Sequence, residues 1–404
     1  MSDAIVLAFS GGLDTSFCIP FLAETTGRPV VTVTVDTGGL DPADAQSLAQ
    51  RSRALGAVDH VLVDARAAYF EKVLRFLVMG NVRRGQVYPL CVGAERVIQA
   101  QEVARAAARL GTRSIAHGCT AAGNDQVRFD VALRTLDPGL EVIAPVRDQP
   151  RPRAEQVAFL KERKLPVPPF GAAYSINRGM WGVTIGGTET LDSQASIPES
   201  AWVLTRGAFA EGAVQRTAER HTVGFVRGVP ASFDGVELAP VDLIERVEAA
   251  AAPFGIGRGI HLGETILGIK GRVAFEAPAA EVLLTAHREL EKLTLTGRQI
   301  RMKETVAAVY GDLVHEGQHL DPVCRDIEAF LLSSQERVTG EVKLLFRAGQ
   351  AFVEGVVSPH SLLAATKGVY GEAAGEWTAA DARGFSRIAA MPGMLYARAG
   401  GGTS

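Results

Sequence analysis

The segment Ser10-Gly11-Gly12-Leu13-Asp14-Thr15-Ser16 carries the residue types needed to hold a chain of phosphates. It follows the apolar run Ala4 to Phe9 and precedes a helical pattern, so its glycine-rich turn would aim backbone N–H groups and a helix N-terminus at an anion. Gly11 and Gly12 permit the turn and a close phosphate approach, while Ser10, Thr15 and Ser16 add hydroxyl donors. Asp14, at the helix start, can hold a Mg²⁺ ion bridging the phosphates. Read blandly, the glycines make a tight turn and the hydroxyls cap a helix. The complete heptad between a strand and a helix favours the anion cradle. No GxxxxGK[ST] pattern occurs, so this is not a Walker A loop.

A second cluster, Ala116 to Asp130, reads AHGCTAAGNDQVRFD. Asn124, Asp125, Gln126 and Arg128 are of the types that fix an amino acid's amine and carboxylates, and a planar guanidinium suits bidentate carboxylate binding. By itself the segment reads equally as a turn after Gly123 with Arg128 on a solvated face. Two other patterns are weaker. His315-Glu316-Gly317-Gln318-His319 matches HExxH formally, a zinc-protease motif that needs both histidines on one helical face. Gly317 within it and Pro322 after it disfavour such a helix, so zinc is not expected there. Replacing either histidine is expected to be nearly silent for activity. Gly255 to Gly259, GIGRG, resembles part of a dinucleotide fingerprint but follows a helix-like segment and reads as a loop. Trp181 reads as a packed aromatic.

These loops require rigid elements to place them. Ala4 to Phe9, Val30 to Asp36, His60 to Asp64, Ser114 to His117 and Glu141 to Val146 read as strands, and their unbroken apolar character suits burial on both faces. Helical patterns lie between them. Asp41-Pro42 offers an N-cap with proline at the first helical position, and Gly56 and Gly111 sit where helix ends want positive φ. The βαβ series predicts an α/β fold with a doubly wound parallel sheet and its ligand crevice at the carboxyl ends of the strands. Proline-rich stretches at Gln149 to Arg153 and Leu165 to Pro169 place a domain boundary near residue 165. Beyond it, turns at Asp234-Gly235 and Gly349-Gln350 and helices near 241–252, 278–293 and 322–337 predict an α+β second domain. Gly400 to Ser404 reads as a disordered tail.

Composition narrows the function classes. The 404 residues, 47% of them hydrophobic, can bury a sizeable core, and a formal net charge of −3 without a dense Lys/Arg run argues against nucleic acid as the principal partner. No signal segment or membrane-spanning run is legible. The four cysteines (Cys18, Cys91, Cys119, Cys324) are far apart with no CxxC pair, which fits a reducing cytoplasm.

Loops of the SGGxDS type are found in ATP pyrophosphatases of the adenine-nucleotide alpha-hydrolase-like fold, which cleave ATP between the α- and β-phosphates. With AFSGGLDTS, VDTGG, AHGCTAAGNDQVRFD, VIAPVRD, YSINRGMWG and GIKGRVAFEAP in order, the chain resembles the argininosuccinate synthase family over most of its length. The resemblance implies a ligase of arginine biosynthesis that joins citrulline and aspartate through a citrullyl-adenylate, releasing AMP and pyrophosphate. It implies residues 1–165 as an ATP-binding domain and 166–404 as a synthetase and oligomerisation domain. It also implies a homotetramer in which the carboxy-terminal region reaches across subunits.

By the same resemblance Ala8, Phe9, Ser10, Gly11, Gly12, Leu13, Asp14, Thr15, Ser16, Val35 and Gly118 would surround ATP, with Asp14 on Mg²⁺. Thr120, Asn124 and Asp125 would hold aspartate. Tyr88, Asn124, Arg128, Ser175, Thr184 and Glu264 would reach citrulline, although the ungapped register puts Gly263 at the glutamate position. Asp14, Asp125 and Arg128 would carry the chemistry. The chain departs from the family pattern at Ala122, which replaces a lysine. Arg84 and Gly93 fall on or near a tyrosine and a serine position, with Tyr88 and Arg96 the nearest retained groups, and Phe275 replaces a further tyrosine. A different ureido or amide acceptor is the alternative reading. Amidotransferase-coupled or tRNA-thiolating relatives would bring a glutaminase domain or a basic RNA surface, a nucleotide sensor would need only the first domain, and a protease rests on HEGQH alone.

Overall fold

Five apolar segments become parallel strands: β1 (Ile5–Ala8), β2 (Val30–Asp36), β3 (Asp59–Asp64), β4 (Ser114–His117) and β5 (Glu141–Ile143). The expected fifth strand is shorter than its sequence suggested. Pro145 lacks an N–H for the ladder and instead opens the helical turn Pro145–Asp148. The computed structural model describes residues 3–168, 174–212, 216–372 and 374–400; Pro169 and the tail from 401 to 404 lie outside them.

The strand order is β3-β2-β1-β4-β5, so the winding reverses between β1 and β4 and a crevice opens at their carboxyl ends. Ala8 is in register with Val33 on one side and His117 on the other, which brings the loops after β1, β2 and β4 to one level. Local signals set the connections. Asp41 accepts a hydrogen bond from the Asp44 N–H at 2.8 Å with Pro42 at the first helical position, and Gly111 closes the helix Arg96–Leu110 at φ +70°.

The rest of this unit is built on antiparallel sheets. Strands β6 (Tyr174–Gly179), β7 (Gly182–Gly187), β8 (Glu219–Val226), β9 (Val229–Phe233), β10 (Val236–Glu237), β11 (Arg258–Glu264), β12 (Lys270–Glu276), β13 (Gly340–Arg347) and β14 (Gln350–Val357) form a five-stranded sheet, β10-β9-β8-β13-β14, and a four-stranded one, β11-β12-β7-β6. The expected helices appear as Pro240–Ala251, Pro278–Thr294 and Pro322–Ser334. A fourth, Gly297–His315, was not anticipated. It starts at a Thr296–Gln299 capping box.

The four-stranded sheet has two distinct faces because cross-strand partners share a side. Val183, Ile185 and Ala274 pack on Trp202. The opposite face carries Ser175, Asn177, Thr184, His261 and Phe275, as the pairings Asn177 with Thr184 and Thr184 with Phe275 require. His261 and Phe275 meet Tyr88, at ring-centroid separations of 5.5 and 5.2 Å, which seats this face on the loop before the helix Arg96–Leu110. The unit containing all these sheets runs from Met1 to Ser358.

A second unit, Pro359–Ser404, contains the helix Ala379–Ala399, started by a Thr378–Asp381 capping box. Among its described residues none is buried, and Phe385, Ile388 and Leu395 are exposed on that helix.

Candidate active site

At the end of β1 the chain turns through Gly11, whose φ of +76° and contact with Leu48 leave no space for a side chain. Gly12 then caps the helix Leu13–Thr26 in an extended conformation and has no side chain to offer its first turn, while its own N–H lies 3.5 Å from Ser10 Oγ. The first-turn N–H groups are therefore free of side-chain caps, as an anion site requires. Thr15 Oγ1 donates to the Gly12 carbonyl at 3.2 Å and lies 3.3 Å from Ser10 Oγ. Gly118, at the end of β4, lies so close that a Cβ there would be 2.9 Å from Thr15 Cγ2. Ser16 Oγ is buried and has no partner among the described residues.

Asp14 Oδ1 accepts a 2.9 Å hydrogen bond from Gln156 Nε2. Gln156, only 1% exposed on the helix Arg153–Glu162, orients the carboxylate yet carries no local sequence signal. The VDTGG segment forms the facing wall. Asp36 Oδ1 accepts from the Gly38 N–H at 2.8 Å, and Gly38, at φ +101°, lets the β6–β7 hairpin close on the loop, where the Met180 N–H donates to the Thr37 carbonyl at 3.1 Å. That contact brings Ile176, Asn177 and Arg178 to the cavity.

The cavity measures about 430 Å³ and lies at the carboxyl ends of β1, β2 and β4. Of the expected ATP residues, Ala8, Phe9, Ser10, Gly12, Asp14, Thr15, Val35 and Gly118 line it. Gly11, Leu13 and Ser16 are not in the lining. Cys119 lines it too, but burial pushes its thiol up to about 12, which makes it a poor nucleophile.

Asp125 joins this cavity to a second cluster. Its Oδ2 pairs with Arg96 Nη2 at 3.0 Å, and its Oδ1 with Arg128 Nη1 at 2.7 Å. Burial alone would push the carboxyl up, but the two guanidinium groups override it and hold it well below the usual carboxylate range. Arg96 is fixed in turn by Glu95 Oε1 and Gln99 Oε1, at 2.7 and 3.0 Å.

The solvated-face reading of Arg128 does not hold. Its side chain is buried, with Nε donating to the His315 carbonyl at 2.7 Å and Nη2 placed 3.2 Å from His315 Nδ1. Gly93 accommodates the guanidinium, since a Cβ there would be 2.7 Å from Arg128 Cζ. HEGQH therefore has a structural explanation. The helix ends at His315 and Gly317 takes φ +79°, so the two histidines are not on one helical face. His319 Nε2 instead lies 3.1 Å from the Lys72 carbonyl and 3.3 Å from Glu328 Oε1. The expectation that replacing His315 is nearly silent is not supported by these contacts, which tie it to Arg128.

Of the other expected acceptor residues, Asn124 accepts from the Ile266 N–H through Oδ1 at 3.0 Å. Ser175 and Thr184 lie on the sheet face that also bears Phe275 and His261. Tyr88 is buried and spends its hydroxyl on its own loop, donating to the Val92 carbonyl at 2.8 Å. Glu264 pairs with Lys270 at 2.8 Å at the exposed end of the β11–β12 hairpin. Arg84 reaches the same neighbourhood through Asp312, at 3.2 Å, and the Glu264 carbonyl, at 3.3 Å. Thr120 is exposed.

Burial first, and then the nearby Arg128, Arg84 and His261 charges, lower His315 to about 3. Unfolded histidine titrates near 6.5, so between those values the unfolded chain binds a proton that the folded one refuses. The stability contributed is present above about pH 6.5 and is lost as pH falls below it. From this residue alone, unfolding free energy should fall by about 1.4 kcal/mol between about pH 7.5 and 5.5. Urea titrations at both pH values check this, and His315→Asn should remove that part of the slope.

Two family models match the chain, an arginosuccinate synthase N-terminal HUP domain over residues 4–166 and an arginosuccinate synthase C-terminal domain over residues 174–396. The chain belongs to the argininosuccinate synthase family. It is 42% identical over 404 residues to the argininosuccinate synthase of Xanthomonas campestris pv. campestris, covering 98% of this chain and 99% of that protein. The argininosuccinate synthase of Methanocaldococcus jannaschii is 36% identical over 362 residues, 90% of each chain. That of Xylella fastidiosa is 39% identical over 400 residues, 97% of each. The HUP match coincides with the parallel sheet and the C-terminal match with the two antiparallel sheets, so the α/β reading and the argininosuccinate synthase resemblance both stand. Among the described residues no helix is long and apolar enough to cross a membrane.

Proposed function

We propose that the chain joins citrulline and aspartate into argininosuccinate, with ATP cleaved to AMP and pyrophosphate. The observation that carries this reading is the junction at Asp125, where an uncapped helix end fit for phosphates adjoins a fixed pair of arginines fit for amino acids. The ureido oxygen of citrulline attacks the α-phosphorus, and pyrophosphate leaves. The aspartate amine then attacks the activated carbon, loses a proton, and expels AMP together with that oxygen.

Ala8 to Ser16, Val35 and Gly118 would enclose ATP, their backbone N–H groups and hydroxyls meeting the phosphate charge. Mg²⁺ suits the Asp14 carboxylate facing the cavity and, when bound, would neutralise charge on the phosphates. Thr120, Asn124 and Asp125 would hold aspartate. Asn124, Arg128, Ser175 and Thr184 would hold citrulline, with Tyr88 shaping the loop beneath and Glu264 at the rim. Asp125 stays ionised between two arginines, so it suits orienting the amine and is a poor proton acceptor. Positioning supplies most of the catalysis.

The test follows the oxygen. With citrulline labelled by ¹⁸O in the ureido group, mass spectrometry should find the label in AMP and none in pyrophosphate. Turnover without label in AMP, or release of ADP, sinks this chemistry. We also propose a cytoplasmic homotetramer, with residues 1–165 as its ATP-binding domain and 166–404 as its synthetase and oligomerisation domain. The exposed Phe385, Ile388 and Leu395 of the carboxy-terminal helix suit burial against another subunit. Light scattering on the purified protein should give four times the 42.8 kDa chain mass.

A further inference from the structure

We infer that His315 is a positioning residue for the acceptor site, a two-point clamp that fixes the Arg128 guanidinium through its own carbonyl and its imidazole Nδ1. The inference rests on the proposed reaction and adds a residue that works only through another. The clamp is directional. Nε and Nη2 of Arg128 face His315 while Nη1 faces Asp125, so one edge of the planar group is held by the C-terminal half and another by the N-terminal half. Three of the five guanidinium N–H donors are engaged in this way, so the proposed hold on citrulline falls to the other two, which have no partner among the described residues.

The surroundings are shaped for this contact. The helix Gly297–His315 stops at the clamping residue, and Gly317 turns away at φ +79° with its backbone against Arg128, where a Cβ would be 2.7 Å from Arg128 Cα. On the other side Gly93 leaves the guanidinium its space. His315 is itself only 8% exposed, and its Nε2 has no partner among the described residues. A buried imidazole with one nitrogen unsatisfied calls for an explanation, and the contact its other nitrogen makes with Arg128 supplies one. Arg128, Arg84, His261 and Asp125 face it, and Arg84 is tethered to Asp312 one turn earlier on the same helix. Burial first, and then the positive charge that three of those four groups carry or can carry, keep the imidazole neutral and its Nδ1 a hydrogen-bond acceptor.

The test compares His315→Leu, which removes the acceptor nitrogen, with His315→Asn, whose side-chain oxygen can replace it. Wild-type turnover of citrulline, aspartate and ATP is measured first, and its absence would fail the proposed function before any variant is compared. Given turnover, His315→Leu should raise the KM for citrulline about tenfold or more, the scale of one hydrogen bond to a charged group, while ATP binding by equilibrium dialysis stays at the wild-type value. His315→Asn should recover most of the citrulline KM. In an Arg128→Lys background, adding His315→Leu should cost little more, because the partner it positions is already gone. If His315→Leu does not fold, His315→Met takes its place. An unchanged citrulline KM in the folded variant, a parallel loss of ATP affinity, or fully multiplicative losses in the double variant would each overturn the clamp.

Discussion

Lys303→Met should cost on the order of 3–5 kcal/mol of unfolding free energy, the usual result of removing one partner from a buried ion pair. Lys303 is fully buried in the helix Gly297–His315, with Nζ 2.8 Å from Glu291 Oε2 and donating to the Met79 carbonyl at 2.8 Å. Glu291 also accepts from Asn81 Nδ2 at 2.6 Å and from Gln335 Nε2 at 2.7 Å, and His287 bridges Asn81 and Gln335 at 2.7 and 2.9 Å. Burial pushes the Lys303 ammonium down, and the Glu291 charge opposes that fall. Methionine would fill most of the volume, so the loss comes from leaving the Glu291 carboxylate inside without its cation. Urea unfolding of the single variant and of Lys303→Met with Glu291→Leu separates the two effects. The double variant should regain much of the stability, since replacing both partners removes the stranded charge. A single variant within about 1 kcal/mol of wild type would mean the network is not held by that pair. The same helix ends in His315, so loosening its buried middle should also slacken the hold on Arg128.

Asp14→Asn is the second large effect, and it should appear in turnover instead of stability. Asp14 is only partly buried at the cavity wall, so the substitution leaves the core intact, and the amide oxygen can still accept from Gln156. What is lost is the carboxylate charge that would hold Mg²⁺ against the phosphates. Removing one preorganised electrostatic group from such a site costs about 3 kcal/mol of barrier, or roughly a hundredfold in kcat. The measurement is kcat at saturating ATP, Mg²⁺, citrulline and aspartate, beside a thermal melt. A normal melt with turnover down about a hundredfold is expected. Undiminished kcat would remove Asp14 from the reaction.

Much of this protein was legible before folding because the relevant information is local. The Ser10 to Ser16 loop, the Asp41-Pro42 helix start and the helix end at Gly111 depend on neighbours a few residues apart, and each adopts the conformation its residues favour. Unbroken apolar runs likewise marked the inner strands, whose two buried faces need no alternation. The strand ending at Ile143 was overextended, since the apolar pattern continues through a proline that the ladder cannot use.

The strand–loop–helix at Ser10 to Ser16, the parallel sheet that presents it and the family to which the chain belongs could thus be read from the residues alone. Which side chains complete the candidate site emerged only from packing. Gln156 reaches Asp14 across 142 residues and His315 reaches Arg128 across 187. HEGQH was visible in the sequence, but its histidines acquire meaning only once the helix stops between them and the first closes on Arg128. Long-range hydrogen bonds of this kind have no spacing rule, because their geometry is set by how distant elements pack and by where glycines such as Gly93 and Gly317 leave the space.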